Sequence, residues 1–202
     1  MNFALLGDDP TTIPLVTAIA AHPAHQLTRA ALVGEATLSA MLQIVPAVSV
    51  ADGWEEWVSS PVVDTVIVVG DDDAVLEAAR KLAAAGRSLM ILPVASQGLA
   101  FVYELTLIRD DALVVLCPAF LPRFEPAVVA LKALIEAGEL GQLMHLQFER
   151  THSSTDDSGS PPLVSQSEID EVLLQDVDLL RSLGGNYSRV TARTYIGDDI
   201  GH

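Results

Sequence analysis

Cysteine is nearly absent: Cys117 is the only one in 202 residues. An intrachain disulfide is therefore excluded, and a zinc site built on cysteines lacks its ligands. Cys117 closes an apolar run that begins at Leu113, so the thiol is expected to be buried and inert. Basic residues are also scarce. Eleven Lys and Arg stand against 27 Asp and Glu, a formal net charge of -16. That balance argues against nucleic acid and against anionic membrane surfaces as partners, since both select basic patches. No apolar run approaches the ~18 residues that span a bilayer. The N-terminus has no basic segment and meets Gly7 almost at once, so no signal peptide is expected and a cytoplasmic location is. Charged residues make up only 19% and hydrophobic ones 50%, a composition that buries a large core rather than staying disordered.

What is present is alternation. Short β-branched or apolar runs at Phe3–Leu6, Leu27–Val33, Val48–Val50, Val62–Val69, Ser88–Leu92 and Leu113–Cys117 read as strands. Between them, Ile13–Ala21, Leu38–Gln43, Trp54–Ser59, Ala74–Ala85 and Gly98–Arg109 read as helices. Strand–helix alternation means βαβ units, a parallel sheet and helices on both of its faces. Gly86 closes one helix and Pro61 opens a strand. After Pro126 the rhythm changes to a helix at Ala127–Ala137, a strand at Gln142–Arg150, a polar loop from Thr151 to Pro162, a helix at Glu168–Leu183 and a strand at Arg189–Ile196. The Glu168–Leu183 helix carries Ile169, Val172, Leu173, Val177, Leu180 and Leu183 on one face. The expected organisation is a doubly wound parallel sheet over residues 1–122 and a short α+β segment over residues 123–202, small for an independent domain.

Three stretches carry a resemblance. Ala47–Leu92 reads AVSVADGWEEWVSSPVVDTVIVVGDDDAVLEAARKLAAAGRSLMIL, Arg123–Leu146 reads RFEPAVVALKALIEAGELGQLMHL, and Leu173–Leu183 reads LLQDVDLLRSL. Their order and spacing resemble the Gfo/Idh/MocA family of NAD(P)-dependent oxidoreductases, relatives of glucose-fructose oxidoreductase and inositol dehydrogenase. The resemblance implies a Rossmann dinucleotide-binding domain followed by an α+β domain, truncated here to strand–helix–strand. It also implies NAD(P) as cofactor, a sugar-like substrate, and a homodimer through the second domain's sheet, here the edges of Gln142–Arg150 and Arg189–Ile196.

The resemblance also says where the chemistry belongs. The first strand leads into a turn whose backbone N–H groups and helix start hold a pyrophosphate. Here it reads Gly7-Asp8-Asp9-Pro10-Thr11-Thr12-Ile13-Pro14. Only Gly7 is retained; Asp8 and Asp9 put negative charge near the phosphates, and two prolines lack N–H groups. Two unit charges ~5 Å apart at an effective dielectric of ~20 repel by about 3 kcal/mol, more than one ordinary hydrogen bond supplies. Asp9 or Thr11 as a simple helix cap is the preferred reading of this turn. Glu35, after Val33-Gly34, stands where an acidic residue grips the adenosine ribose, and an exposed loop glutamate is an equally good description of it. Gly70-Asp71-Asp72-Asp73 ends the fourth strand, with Asp73 suited to cap the next helix. The topology gathers Asp8, Asp9 and Asp71–Asp73 in one crevice, as solvated caps and not as a metal site. Pro93 of the family's Glu-Lys-Pro is kept, but Leu92 replaces the lysine. Glu171 and Gln175 occupy the positions of the aspartate and the histidine one helical turn apart, and Gln175 does not titrate. Asp178 reads as structural. His22 and His25 flank Pro23 in a loop, and Trp54 and Trp57 have core-packing spacing.

Two functional readings follow. In the first, the fold is kept and the chemistry lost: a non-catalytic homologue acting as a partner or sensor, which Asp8, Asp9, Leu92 and Gln175 favour. In the second, the chain is an active NAD(P)-dependent dehydrogenase of a sugar-like substrate, which rests on the resemblance.

Overall fold

A computed structural model describes residues 1–149, 166–186 and 189. Six strands form one parallel sheet: β1 (Asn2–Leu6), β2 (Gln26–Ala31), β3 (Ser49–Ala51), β4 (Thr65–Val68), β5 (Ser88–Ile91) and β6 (Leu116–Pro118). Their order is β3-β2-β1-β4-β5-β6. The helices are α1 (Ile13–Ala21), α2 (Glu35–Ile44), α3 (Asp73–Ala84), α4 (Gly98–Ala112), α5 (Pro126–Glu136) and α6 (Gln166–Gly184). The sheet is doubly wound, as the alternation of strands and helices predicts.

The period of two along each strand makes two cores. Ala4, Leu6, Val66 and Val68 point to the side of α3 and α4 and pack with Leu82, Leu89 and Phe101. Phe3, Leu5, Ile67 and Val69 point to the other side and pack with Val16, Ile19 and Met41 of α1 and α2. Central strands buried on both faces favour β-branched residues at every position, as in β4, which reads Thr-Val-Ile-Val and is buried throughout. Trp57 is fully buried, Trp54 packs against the same core, and the ammonium of Lys81 lies 5.7 Å from the Trp54 ring.

By compactness the chain divides into two units, one of Met1–Leu121 with Val164–Leu174, the other of Pro122–Leu163 with Gln175–His202. In the second unit α5 turns Val128, Leu131 and Ile135 to one half-buried face. There the guanidinium of Arg123 grips both carboxylate oxygens of Asp178, which is 9% exposed.

Several sequence expectations are corrected. Residues 142–149 form no strand. An extended segment needs a ladder partner to become one, and none lies among the described residues. This removes one of the two strands on which a homodimer through that sheet was expected. The other, Arg189–Ile196, lies outside the described residues except for Arg189, as do the loop Thr151–Pro162 and His152. Trp54–Ser59 is a 3-10 turn at Glu55–Val58 rather than an α-helix. Cys117 is exposed, because β6 is a three-residue edge strand and the thiol side of it carries no cover. On α6, Ile169 and Leu173 are exposed, while Leu179 and Leu183 are buried. Among the described residues no helix is long and apolar enough to cross a membrane.

Candidate functional site

Strand order reverses between β1 and β4, so the loops that follow these strands diverge and leave a crevice at their carboxyl ends. Gly7 sits at its floor. Its N–H donates to the Ala31 carbonyl at 3.1 Å, which ties the end of β1 to the end of β2. Its φ is +101°, and a Cβ there would lie 2.0 Å from the Val69 carbonyl oxygen. Glycine at this position is a requirement of the fold, whatever the crevice binds.

Asp8 and Asp9 part company. The Asp8 carboxylate turns toward β2 and rests against Gly34, so closely that a Cβ on Gly34 would come within 2.3 Å of its Oδ2. Gly34 is the N-cap of α2, and Glu35 is the first residue of that helix and exposed, where a carboxylate suits the helix dipole. The space beside Glu35, where a ribose grip is expected, is thus shared with Asp8. Asp9 serves its own helix. Its Oδ1 accepts from Thr11 N–H at 2.8 Å, and its carbonyl accepts from Thr12 N–H at 3.1 Å and from the Thr12 hydroxyl at 2.7 Å. Ile13 N–H donates to the Pro10 carbonyl, closing a 3-10 turn at Pro10–Thr12 from which α1 continues. Pro10 and Pro14 carry no N–H. Every backbone donor from Pro10 to Pro14 is therefore either absent or taken. Helix starts bind phosphate through unsatisfied N–H groups, and this one has none to offer over those five residues. The turn does not fit a pyrophosphate. The bonds at Thr11, Thr12 and Ile13 thus add to the obstacle that the two aspartates and two prolines already suggest in the sequence.

On the β4 side, Gly70 has φ +84° and lies close to Asp8, whose carbonyl oxygen would be 3.3 Å from a Cβ there. Asp71 and Asp72 follow, exposed, in the turn. Asp72, not Asp73, is the N-cap of α3, its carbonyl accepting from Leu76 N–H at 3.0 Å, and Asp73 is the first helical residue. Among the described residues no group of three or more His, Cys, Asp or Glu side chains is placed to hold a metal ion. His22 and His25 stack on each other with ring centroids 4.1 Å apart.

Leu92 is 6% exposed and belongs to the core on the α1–α2 side. Pro93 follows it, half-buried. Glu171, on α6, accepts a hydrogen bond from Ala95 N–H at 3.0 Å, so its carboxylate holds the loop after β5. Gln175 lies one turn further along α6, half-buried. Sequence reasoning misses Gln97. This buried side chain donates to the carbonyls of Gly70 at 3.0 Å and Leu92 at 3.2 Å, and its Oε1 accepts from Val94 N–H at 3.4 Å. It clamps the ends of β4 and β5 together. No local pattern announces its bond to Gly70, 27 residues away. A Gln97→Leu variant is expected to lose about 1–2 kcal/mol, since buried carbonyls lose their donor. Urea unfolding checks this, and an unchanged midpoint would refute the clamp.

No family model and no curated protein matches the sequence. Solved structures do match in fold. One is a candidate myo-inositol dehydrogenase of Sinorhizobium meliloti 1021, with TM-score 0.69 and 19% identity, covering 93% of this chain and 56% of that one. Another is a candidate NADPH-dependent oxidoreductase of Desulfitobacterium hafniense, with TM-score 0.67, 15% identity and coverage of 91% and 55%. A third is the scyllo-inositol dehydrogenase of Lactobacillus casei with bound NAD(H) and scyllo-inositol, with TM-score 0.58, 17% identity and coverage of 70% and 42%. The likeness is one of fold. The chain spans about half the length of these solved chains. On that fold, the crevice described above is the place where a dinucleotide would lie.

Proposed function

We propose that the chain is a non-catalytic homologue of the Gfo/Idh/MocA-type oxidoreductases, with the dinucleotide fold kept and both cofactor grip and proton transfer lost. The observation that carries this reading is the start of α1, where Asp9 and two prolines leave no free backbone donor from Pro10 to Pro14 for a phosphate. Leu92 and Gln175 support it independently, because neither side chain titrates. The Leu92 position is a core position, so a lysine there would have to bury its charge.

Calorimetric titration with NAD⁺ and NADP⁺ tests the reading. The expected dissociation constant is weaker than about 1 mM, equivalent to less than about 4 kcal/mol of binding. A low-micromolar constant would overturn the proposal and return an active dehydrogenase of a sugar-like substrate to first place. A Leu92→Lys, Gln175→His double variant is expected to show no turnover with either cofactor, because the defect at the start of α1 remains.

A further inference from the structure

A cavity of about 480 Å³ opens beside α4 within the first unit, with Pro93, Val94 and Gln97 after β5 on its wall. Its size falls within the roughly 300–1,000 Å³ typical of small-ligand sites. Phe101, Val102 and Leu105 of α4, Leu116 and Pro118 of β6 and Leu174 of α6 supply much of its wall. The polar side chains on that wall are few. The Gln97 amide is taken by Gly70, Leu92 and Val94, and the Thr106 hydroxyl donates to the Val102 carbonyl at 2.9 Å. Arg109 is the single charged residue among the described residues that line the cavity. Its Nε and Nη2 both donate to one oxygen of the neighbouring Asp110, at 2.9 and 2.8 Å. That pair is exposed on both sides, the kind that contributes little and exchanges readily with a competing anion. The remaining guanidinium amine makes no bond to another described residue.

These features select a ligand by exclusion. A sugar or a dinucleotide needs many hydrogen-bond partners, and this wall has almost none to give. A cation would meet Arg109. We propose that the cavity binds a medium-chain fatty acid, its tail against Phe101, Leu105 and Leu116 and its carboxylate on Arg109. At the ~30 Å³ that a water molecule occupies in the liquid, the cavity takes roughly 16 groups of that size, enough for a chain of ten to twelve carbons and its head group. The wall continues outward over Leu99, which is 84% exposed and extends the apolar track at the cavity mouth. This inference is independent of whether NAD(P) binds in the crevice.

Decanoate is titrated calorimetrically into the full chain, alongside 1-decanol and decyltrimethylammonium, and the titrations are repeated with Arg109→Gln and Val102→Trp. Circular dichroism verifies that both variants are folded, and sedimentation follows the oligomeric state. Decanoate is expected to bind with a submillimolar constant, decanol about fivefold more weakly, and the ammonium compound more weakly still. Arg109→Gln brings decanoate to the level of decanol, and Val102→Trp, which fills the cavity, abolishes both. No decanoate binding at millimolar concentration overturns the proposal. So does equal binding of decanoate and decanol, or binding unaffected by Val102→Trp. A dimer that Val102→Trp dissociates would make a second copy the occupant instead, which also overturns it.

Discussion

Replacing Gly7 by alanine is expected to lower folding stability by more than about 3 kcal/mol, the upper end of the range for a strained backbone position, because overlap adds to the strain. The φ of +101° is the smaller problem. The larger one is that a Cβ would lie 2.0 Å from the carbonyl oxygen of Val69 and 3.2 Å from a methyl of Val75. Neither neighbour can give way. Val69 is fully buried and its own N–H donates to Leu6 at 2.9 Å, so moving its carbonyl pulls on the β1–β4 ladder. Gly7 itself is tethered to Ala31. Gly86→Ala is the control. Gly86 has φ +86° but no atom within 4 Å of its Cβ position, so only the backbone strain applies, about 1–2 kcal/mol. Urea unfolding of the two variants separates overlap from strain. Equal losses would mean that the close approach of β1 to Val69 is not what demands glycine.

The contrast between these glycines marks what the sequence makes legible. A strand ending in glycine before a helix is a local pattern, and it places Gly7 correctly. The approach of Val69 to Gly7 is a contact across 62 residues, visible only once β1 and β4 are paired. The same division runs through the fold. The bounds of α1 follow from its alanine-rich apolar run between Pro14 and His22. The start of α2 is missed by three residues, because Glu35-Ala36-Thr37 carry no apolar period although Thr37 is buried. Strand β4 is shorter than the run Val62–Val69, since its pairing with β1 begins at Thr65 opposite Phe3. Strand β6 begins three residues later than its apolar run, because Leu113 takes φ +55° to close α4 and leaves its side chain in solvent. Hydrophobic runs report burial on average; the ladder and the cap decide where each element starts.

The candidate site divides in the same way. Gly7, Gly70 and Pro93 mark strand ends, so topology alone brings them to one edge of the sheet. The roles of the aspartates were less legible, because Asp8 and Asp9 are adjacent and chemically identical. What separates them is direction. Asp9 caps the 3-10 turn that Pro10 opens, and Asp8 falls back on Gly34. Glu171 is legible as a position in a motif, but its bond to Ala95 depends on how α6 meets the loop after β5.

Arg123→Ala is expected to destabilise the protein by about 3 kcal/mol, because it strands a carboxylate that folding has already taken out of water. Arg123 and Asp178 come from two segments 55 residues apart, the Arg-Phe and Asp-Leu-Leu-Arg stretches of the resemblance. The guanidinium engages both oxygens of Asp178 through two of its nitrogens, the fork geometry in which arginine binds carboxylate best. The two ends are not equally hidden. The Arg123 side chain is 38% exposed and that of Asp178 only 9%. Asp178 therefore depends on its partner more than Arg123 does, and the order of losses follows from that. Arg123→Ala should cost more than Asp178→Ala, because an exposed guanidinium recovers water and a buried carboxylate does not. The double variant Arg123→Met, Asp178→Leu should recover most of the loss, since it leaves neither charge behind. Urea unfolding of the single and double variants gives the coupling between the two positions, expected above about 1 kcal/mol for groups in direct contact. A loss for Arg123→Ala within about 0.5 kcal/mol, the range of ordinary surface substitutions, would mean that the pair contributes nothing to holding the second unit together.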